Sequence, residues 1–584
     1  MTSRMQHMLG RRDAKGHGGG VRGADLGRRS VQFEGRFGRM FRTLPAAEFT
    51  DEDLRRLAHE GMTAPAETIN VDGKPVRSAT AENEVDDEEN FGIPAGYTYF
   101  GQFIDHDLTF DPVSSLQGQN DPDGLTDFRT PRFDLDSLYG RGPSDQPYMF
   151  EADSKTFLLG RTLTRNGVTT APTSPDLARA ANHRAVIGDK RNDENVIVSQ
   201  LQGLFLRFHN RIVKQHPELP FTEVQRIVRW HYQWVVLHDF LPRIVGRDML
   251  NAVLPHLAAG TNIFDDRPKL RFYHPRDEAY IPVEFSVAAY RFGHSMVRPI
   301  YRLNVELGVV GGAPPEANTA GRQLIFASEG AAGLNGFRDF PDVWSIDWSL
   351  FFEIGAKLSP QNTTNQGPSR VQPSYKIDTS LVNPLDFLPE FCKMKPGTQD
   401  LLLEKDKPVA QTDPLTHTPE IPNLAHRNLL RGRSMGLPSG QTVARAMGLT
   451  PLTDAEIVIG KATVGDTFPT EAGKPPTNGS IVKFGRSFHN NAPLWVYVLA
   501  EAQHQWRATA KTLLDKDSKQ TDTANTVPVH LGPVGGRIVT ETFIGLLLND
   551  SHSFLSQDPG WKPIASWCDK GEFGMPQLVK AALG

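Results

Sequence analysis

The chain has 584 residues, 39% of them hydrophobic, a formal charge of −5 and two cysteines. That length can bury one very large core or about two to four ordinary domains, and the small negative charge offers no basic field to nucleic acid or an anionic membrane. With a mean hydropathy of −0.39 and no apolar run near the roughly 20 residues that span a bilayer, it reads as a soluble globular protein, and Cys392 and Cys568 supply neither a disulfide framework nor a thiolate zinc site.

In chain order, Met1 to Ser30 is rich in Arg and Gly and lacks the apolar core of a secretory signal. It reads as a disordered tail, 1–30, ahead of one large domain, 31–584, in a protein that is cytoplasmic or exported by a non-classical route. Asp51 to Leu57 is an acidic, helix-like patch, and Glu82 to Asn90 is acidic again. Gly101-Gln-Phe-Ile-Asp-His-Asp-Leu-Thr-Phe110 then packs an amide, two carboxylates and an imidazole into six residues. If it is helical, Gln102 and His106 share a face at i and i+4, while Asp107 points away, free for a second task.

Glu194 to Gln215 carries apolar residues at Val198, Leu201, Phe205, Phe208 and Ile212, a helical stripe. Thr222 with Gln225 resembles a capping box opening a helix through Leu241, which Pro242 ends. A third helical stretch runs from Val283 to Met296, and two more over Pro493 to Gln505 and Arg537 to Leu548. Pro/Gly/Asn-rich segments lie between them at Gly311–Ala320, Ser359–Pro384 and Gly473–Gly479, and alternating strand patterns are few. The expected fold is mainly α, with long irregular loops and little β-structure.

Four constellations bear on chemistry. Thr130-Pro-Arg-Phe-Asp-Leu-Asp136 places oxygens at Thr130, Asp134 and Asp136 with the Arg132 carbonyl between, a pattern for a hard cation to which Asp107 can add a carboxylate. It lacks the glycine and terminal glutamate of an EF-hand, and an acidic turn alone is ordinarily just solvated. Arg191 and Glu194 lie three apart where the Val198 stripe begins, so they share a face as that helix starts. Tyr290-Arg-Phe-Gly-His294 puts an imidazole beside a glycine that leaves room for a flat cofactor, although a lone histidine on an apolar helix is more often a satisfied core residue. His209 and His238 are assigned to packing. Finally, Gly432 to Gly436 spells G-x-S-x-G, and His17 to Gly20 mimics an esterase oxyanion loop. No β-branched strand leads into Ser434, so the hydrolase reading is rejected.

Asp-His-Asp, the oxygen-rich loop, Arg-x-x-Glu, Arg-x-Gly-His and an Asn-x-x-Arg at Asn428 and Arg431 follow one another in an order that resembles the animal-type haem peroxidase superfamily, the group of myeloperoxidase, lactoperoxidase and peroxidasin. Its bacterial members share Gly35-Arg-Phe-Gly38, Ile93-Pro-Ala-Gly-Tyr-Thr-Tyr99, Pro493-Leu-Trp495 and Leu531-Gly-Pro-Val-Gly535, and the resemblance runs from about Gly35 to Leu555.

The resemblance implies haem b and calcium as cofactors. It casts His106 as the distal histidine, Gln102 as the distal glutamine and Arg191 as the distal arginine. Asp105 and Glu194 match the carboxylates esterified to the haem. His294 matches the proximal iron ligand, Asn428 its hydrogen-bond acceptor, and Arg291 and Arg431 match residues near the propionates. Asp107, Thr130, Arg132, Asp134 and Asp136 match the calcium site. The implied reaction reduces hydrogen peroxide through a ferryl intermediate that oxidises bromide, iodide, thiocyanate or phenols. Asn195 follows Glu194 where myeloperoxidase has the methionine of its sulfonium link, so that link and chloride oxidation are not expected. The disulfides and secretory signal of the animal enzymes are missing too. Two alternatives stand beside this reading. A fatty-acid dioxygenase of the same superfamily would carry a radical tyrosine where Arg291 stands. A calcium-binding adhesion protein on the same fold would carry a damaged pocket.

Overall fold

The computed structural model describes residues 35–63, 68–71, 74–77, 88–110, 126–127, 129–165, 174–275, 278–304, 322–327, 333–358, 370–396, 398, 400–405, 407–413, 417–462, 479–516 and 527–584. The tail at 1–30, the His17–Gly20 motif, the Gly311–Ala320 loop, residues 359–369 of the second long loop and 473–478 of the third lie outside them.

Helices carry the architecture. α1 spans Gly96–Leu108, α2 Val196–Gln215, α3 Phe221–Val235, α4 Leu424–Ser434, α5 Leu494–Lys516, α6 Pro533–Asn549 and α7 Met575–Leu583. The β-structure consists of strands two to six residues long in small sheets. In the one three-stranded sheet among the described residues, Gly35–Gly38 lies between Thr126–Asp127, antiparallel, and Ile281–Pro282, parallel. Glu89–Pro94 pairs antiparallel with Pro373–Tyr375, and this ribbon leads straight into α1.

α1 is buried on nearly every side: Phe100, Phe103, Ile104 and Leu108 are all fully buried. Phe103 stacks on Phe205 of α2 at 4.7 Å, and Phe100 meets Phe240 edge-on at 5.6 Å. The apolar stripe read from Val198 to Ile212 is the buried face of α2, which packs α1 on one side and α7 on the other. Buried carboxylates tie loops to this frame. Glu541 accepts from the backbone N–H groups of Arg271, Phe272 and Tyr273, and Glu284 from those of Met40 and Phe41. Each carboxylate replaces lost water with several N–H donors, which offsets the cost of burying its charge.

Several expected boundaries differ, α5 and α6 running to Leu494–Lys516 and Pro533–Asn549 where Pro493 to Gln505 and Arg537 to Leu548 were expected. α2 starts at Val196 because the Asn195 side chain accepts from the N–H groups of Ile197 and Val198, so Arg191 and Glu194 precede the helix instead of opening it. α3 starts after Pro220, one residue ahead of the expected Thr222 cap. Pro242 does not end it: a wide turn at Val236–Phe240 resets the hydrogen-bond ladder, and Pro242 falls in the first turn of Leu241–Val245, where its missing N–H costs no bond. Val283 to Met296 is not one helix. It breaks at Ala288, and Ala289–His294 forms a 3₁₀ turn.

Candidate active site

A cavity of about 1100 Å³ is lined by residues from α1, the 3₁₀ turn Lys190–Asp193, the turn Ala289–His294 and the segment around Pro389. It reaches the top of the range for small-molecule sites. His106 borders it from α1 and His294 from the 3₁₀ turn, and Gln102, Asp105, Arg191, Glu194 and Arg291 line it too.

On α1, Gln102 and His106 do share a face. The Gln102 amide donates to the Glu194 carboxylate, and its oxygen accepts from Asn195 Nδ2 at 3.3 Å. His106 Nε2 lies 3.8 Å from the same Glu194 oxygen, and His106 Nδ1 lies 2.7 Å from Asn192 Oδ1. Burial and the Arg191 cation pull the His106 imidazole down to about 3, so it is neutral across the physiological range. Asp105 faces the cavity too, and Thr109 donates to its carboxylate at 3.1 Å. Burial holds its carboxyl above the usual range against the pull of Arg191 and Arg291.

Arg191 is clamped. Asp189 takes its Nε and Nη2 at 2.8–3.3 Å and caps its backbone N–H, its other contact is an N–H donated to the His106 carbonyl at 3.0 Å, and its guanidinium lies 4.6 Å from the centre of the Phe110 ring. Asp189 also pairs with Arg129, and the two cations hold its carboxyl far below the usual range despite burial. Glu194 goes the other way: burial, then the nearby Glu390 carboxylate, push it up to about 8.

On the 3₁₀ turn, burial and Arg291 draw the His294 imidazole down to about 3. A Cβ added at Gly293 would meet no heavy atom within 4 Å, so the backbone beside this imidazole is open. Asn428 reaches His294 from α4, but not with the expected polarity. The Arg291 guanidinium, which carries only donors, occupies the Asn428 oxygen, and the amide nitrogen faces His294 Nδ1 at 2.7 Å. Arg431, one turn further along α4, is half-buried and does not border the cavity.

Asp107 points away from the cavity, and its carboxylate, with those of Asp134 and Asp136, brings ligand oxygens within 4.8 Å of one another. Asp107 is fully buried and its Oδ1 has no hydrogen-bond partner. Thr130 Oγ1 donates to Asp134 at 2.6 Å, and Leu135, at φ +59°, turns the loop so that Asp134 and Asp136 both face Asp107. The Arg132 side chain points elsewhere, toward Asp550 at 3.9 Å. Burial and then the two neighbouring carboxylates raise Asp107 well above its usual range.

Asp189, Asn192 and Glu390 were missed. Asp189 left a signal, a cap residue two before Arg191. Asn192 and Glu390 left none, since their partners are distant in the chain. The histidines set aside are packing residues: His209 bonds the Tyr139 hydroxyl at 3.0 Å and the Lys155 carbonyl at 2.8 Å, and His238 stacks on Trp234 at 3.9 Å. Gly432 to Gly436 is the end of α4, with Ser434 buried and donating to the Arg431 carbonyl.

Residues 119–314 match the model of the animal haem peroxidase family. That span holds Arg191, Glu194, Arg291 and His294, while α1 precedes it and Asn428 follows it. A peroxidase-like protein of Margaritifera margaritifera is 34% identical over 138 residues, 22% of this chain and 16% of that protein. Across the curated relatives the match covers between 8% and 22% of the relative's own length. Among solved structures, peroxidase A from Dictyostelium discoideum aligns over 92% of this chain and 93% of its own at 15% identity and a TM-score of 0.47. A fatty acid alpha-dioxygenase from Arabidopsis thaliana aligns over 92% and 74% at 13% identity and a TM-score of 0.46. Likeness of that order bears on neither activity.

Proposed function

We propose that this chain, whose residues 119–314 match the model of the animal haem peroxidase family, is a peroxidase that takes hydrogen peroxide as acceptor and oxidises a small donor: bromide, iodide, thiocyanate or a phenol. The observation that carries the reading is one cavity of about 1100 Å³ bordered by two neutral imidazoles and a clamped arginine. A flat macrocycle fits such a space, and the open backbone at Gly293 suits its approach to His294. Haem, when bound, supplies the iron centre that accepts the oxidising equivalents of peroxide.

The protein's own groups do the rest. His294 would hold the iron of a bound haem through Nε2. For that nitrogen to offer a lone pair, Nδ1 must carry the proton, so the Asn428 amide turns over, presents Oδ1 and gives up its Arg291 contact. His106 takes a proton from peroxide and returns it to the departing oxygen, a task for a neutral imidazole. Arg191 stabilises the negative charge that develops there, and its Asp189 clamp keeps it in place without reorganisation. Gln102 orients whatever small species sits beside His106. Asp105 and Glu194 face the cavity as carboxyls held above their usual range, and their proposed role is to attach the haem by ester bonds. Asp107, Asp134 and Asp136, with Thr130 and the Arg132 carbonyl, make a calcium site that takes the unmatched Asp107 oxygen.

The test is a spectrum and a rate. Protein made with haem supplied should show a Soret band that stays with the polypeptide after acidic solvent extraction. His106→Ala should keep that band yet react with peroxide roughly 10² to 10⁴ times more slowly, the usual loss for a general acid–base group. A near wild-type rate in that variant would remove His106 from the mechanism.

A further inference from the structure

Asn192 and Gln202 form a buried amide relay behind His106 that the spacing of motifs does not show. We propose that Asn192, held by Gln202, is a positioning residue that fixes which nitrogen of His106 carries the proton; this rests on the peroxidase reading. His106 Nδ1 is 2.7 Å from Asn192 Oδ1, and Asn192 Nδ2 donates to Gln202 Oε1 at 2.9 Å. His106 is 5% exposed and the two amides 0%, so water does not compete for either bond.

The donor inventory sets the direction. Gln202 Oε1 can only accept, so the Asn192 nitrogen faces it and the Asn192 oxygen faces His106. That oxygen can only accept, so Nδ1 donates, and Nε2 is left with a lone pair toward the cavity. Arg191, the residue before Asn192, donates to the His106 carbonyl. One 3₁₀ turn therefore grips both the side chain and the main chain of the histidine. Gln202 lies on α2, which is packed along α1, so the relay is anchored where these two helices meet.

The consequence is specific to proton transfer. The O–H bond of peroxide breaks, its proton forms an N–H bond at Nε2, and that N–H breaks again as the proton passes to the departing oxygen. Nδ1 keeps its own proton on Asn192 throughout. With the other tautomer, peroxide would meet an N–H and the first transfer could not start.

The first measurement uses haem-free protein labelled with ¹⁵N-histidine, with the His106 signals identified by their loss in His106→Gln. The expected wild-type result is the Nδ1–H tautomer. Asn192→Leu keeps the bulk without the acceptor and should give a mixture of tautomers. Asn192→Asp restores the acceptor, with the Gln202 amide turned to donate, and should restore Nδ1–H. In haem-loaded protein, Asn192→Leu should slow the reaction with peroxide about 10- to 100-fold, the range for losing an orienting partner. Asn192→Asp should recover most of it, and the later oxidation of donor should change little in either. An Nε2–H tautomer in the wild type overturns the proposal, whether or not the variants fold. So does Asn192→Leu with unchanged tautomer and rate. Wild-type protein with the Nδ1–H tautomer that takes up haem but does not react with peroxide overturns the peroxidase reading itself, and this role with it.

Discussion

At Glu194 opposing influences meet on one carboxyl. Burial and the Glu390 carboxylate favour the neutral acid, Arg191 favours the anion, and the acid wins up to about pH 8. Because an unfolded glutamate titrates near 4.3, the native state holds a proton between those limits that the unfolded chain has lost. Stability then falls as pH rises through that window, by up to about 1.4 kcal/mol per pH unit for the one group. Asp105, also raised, adds in the same sense. Urea midpoints of haem-free protein at pH 5, 6.5 and 8 should therefore decline, and Glu194→Gln should flatten the decline; an equal slope in the variant would show that Glu194 is not the titrating group. Arg191 and Glu194 were legible as a pair because they are three residues apart. Glu390 was not, nor was Asn192, whose partner lies 86 residues away. Asn428 was legible as a neighbour of His294 but not in its polarity, because competition from Arg291 for the amide oxygen is set in three dimensions.

At the scale of the element, α1 is the working part, and its start is its tightest point. A Cβ at Gly96 would sit 2.5 Å from Phe352 Cζ and 2.6 Å from the Phe351 carbonyl, with the Gly96 N–H bonded to that same carbonyl at 2.9 Å. The ring has a way to move but the backbone does not. Gly96→Ala should cost about 1–3 kcal/mol, read as a lower urea midpoint at unchanged m-value, and should lower the rate with peroxide because Gln102, Asp105 and His106 ride on the same helix. A midpoint equal to wild type would mean that the entry to α1 is not close-packed. α1 itself was readable from the i, i+4 logic of Gln102 and His106, and α2 from its stripe. The boundaries that failed did so for local reasons. Asn195 takes two N–H groups that the stripe does not report, a wide turn absorbs Pro242, and Arg291 Nε bonds the Ser286 carbonyl across the break at Ala288. A periodicity argument sees apolar side chains, not the side-chain oxygens and donors that interrupt a ladder.

Across the whole molecule, the acidic cluster and the His106 side of the cavity share one helix. Asp107 follows His106 on α1, so whatever fixes the Asp107 carboxylate fixes the turn that carries the imidazole. The second link runs through charge: Arg129 stands 3.5 Å from Asp136 and is bonded to Asp189, which clamps Arg191. A cation among Asp107, Asp134 and Asp136 would relieve the repulsion of three carboxylates whose oxygens lie within 4.8 Å. It would leave Arg129 bound to Asp189 rather than drawn into the cluster. Calcium at about 100 times its dissociation constant would add about 2.7 kcal/mol to the folded state. Dialysis against a calcium chelator, with metal analysis to confirm removal, should thus lower the thermal midpoint and the rate with peroxide together, and added calcium should restore both. Asp134→Ala should mimic the chelated protein and fail to respond to calcium. If the metal-free protein keeps both its midpoint and its rate, the cluster is not an ion site, and the route from Asp136 through Arg129 to Arg191 plays no part in holding the arginine.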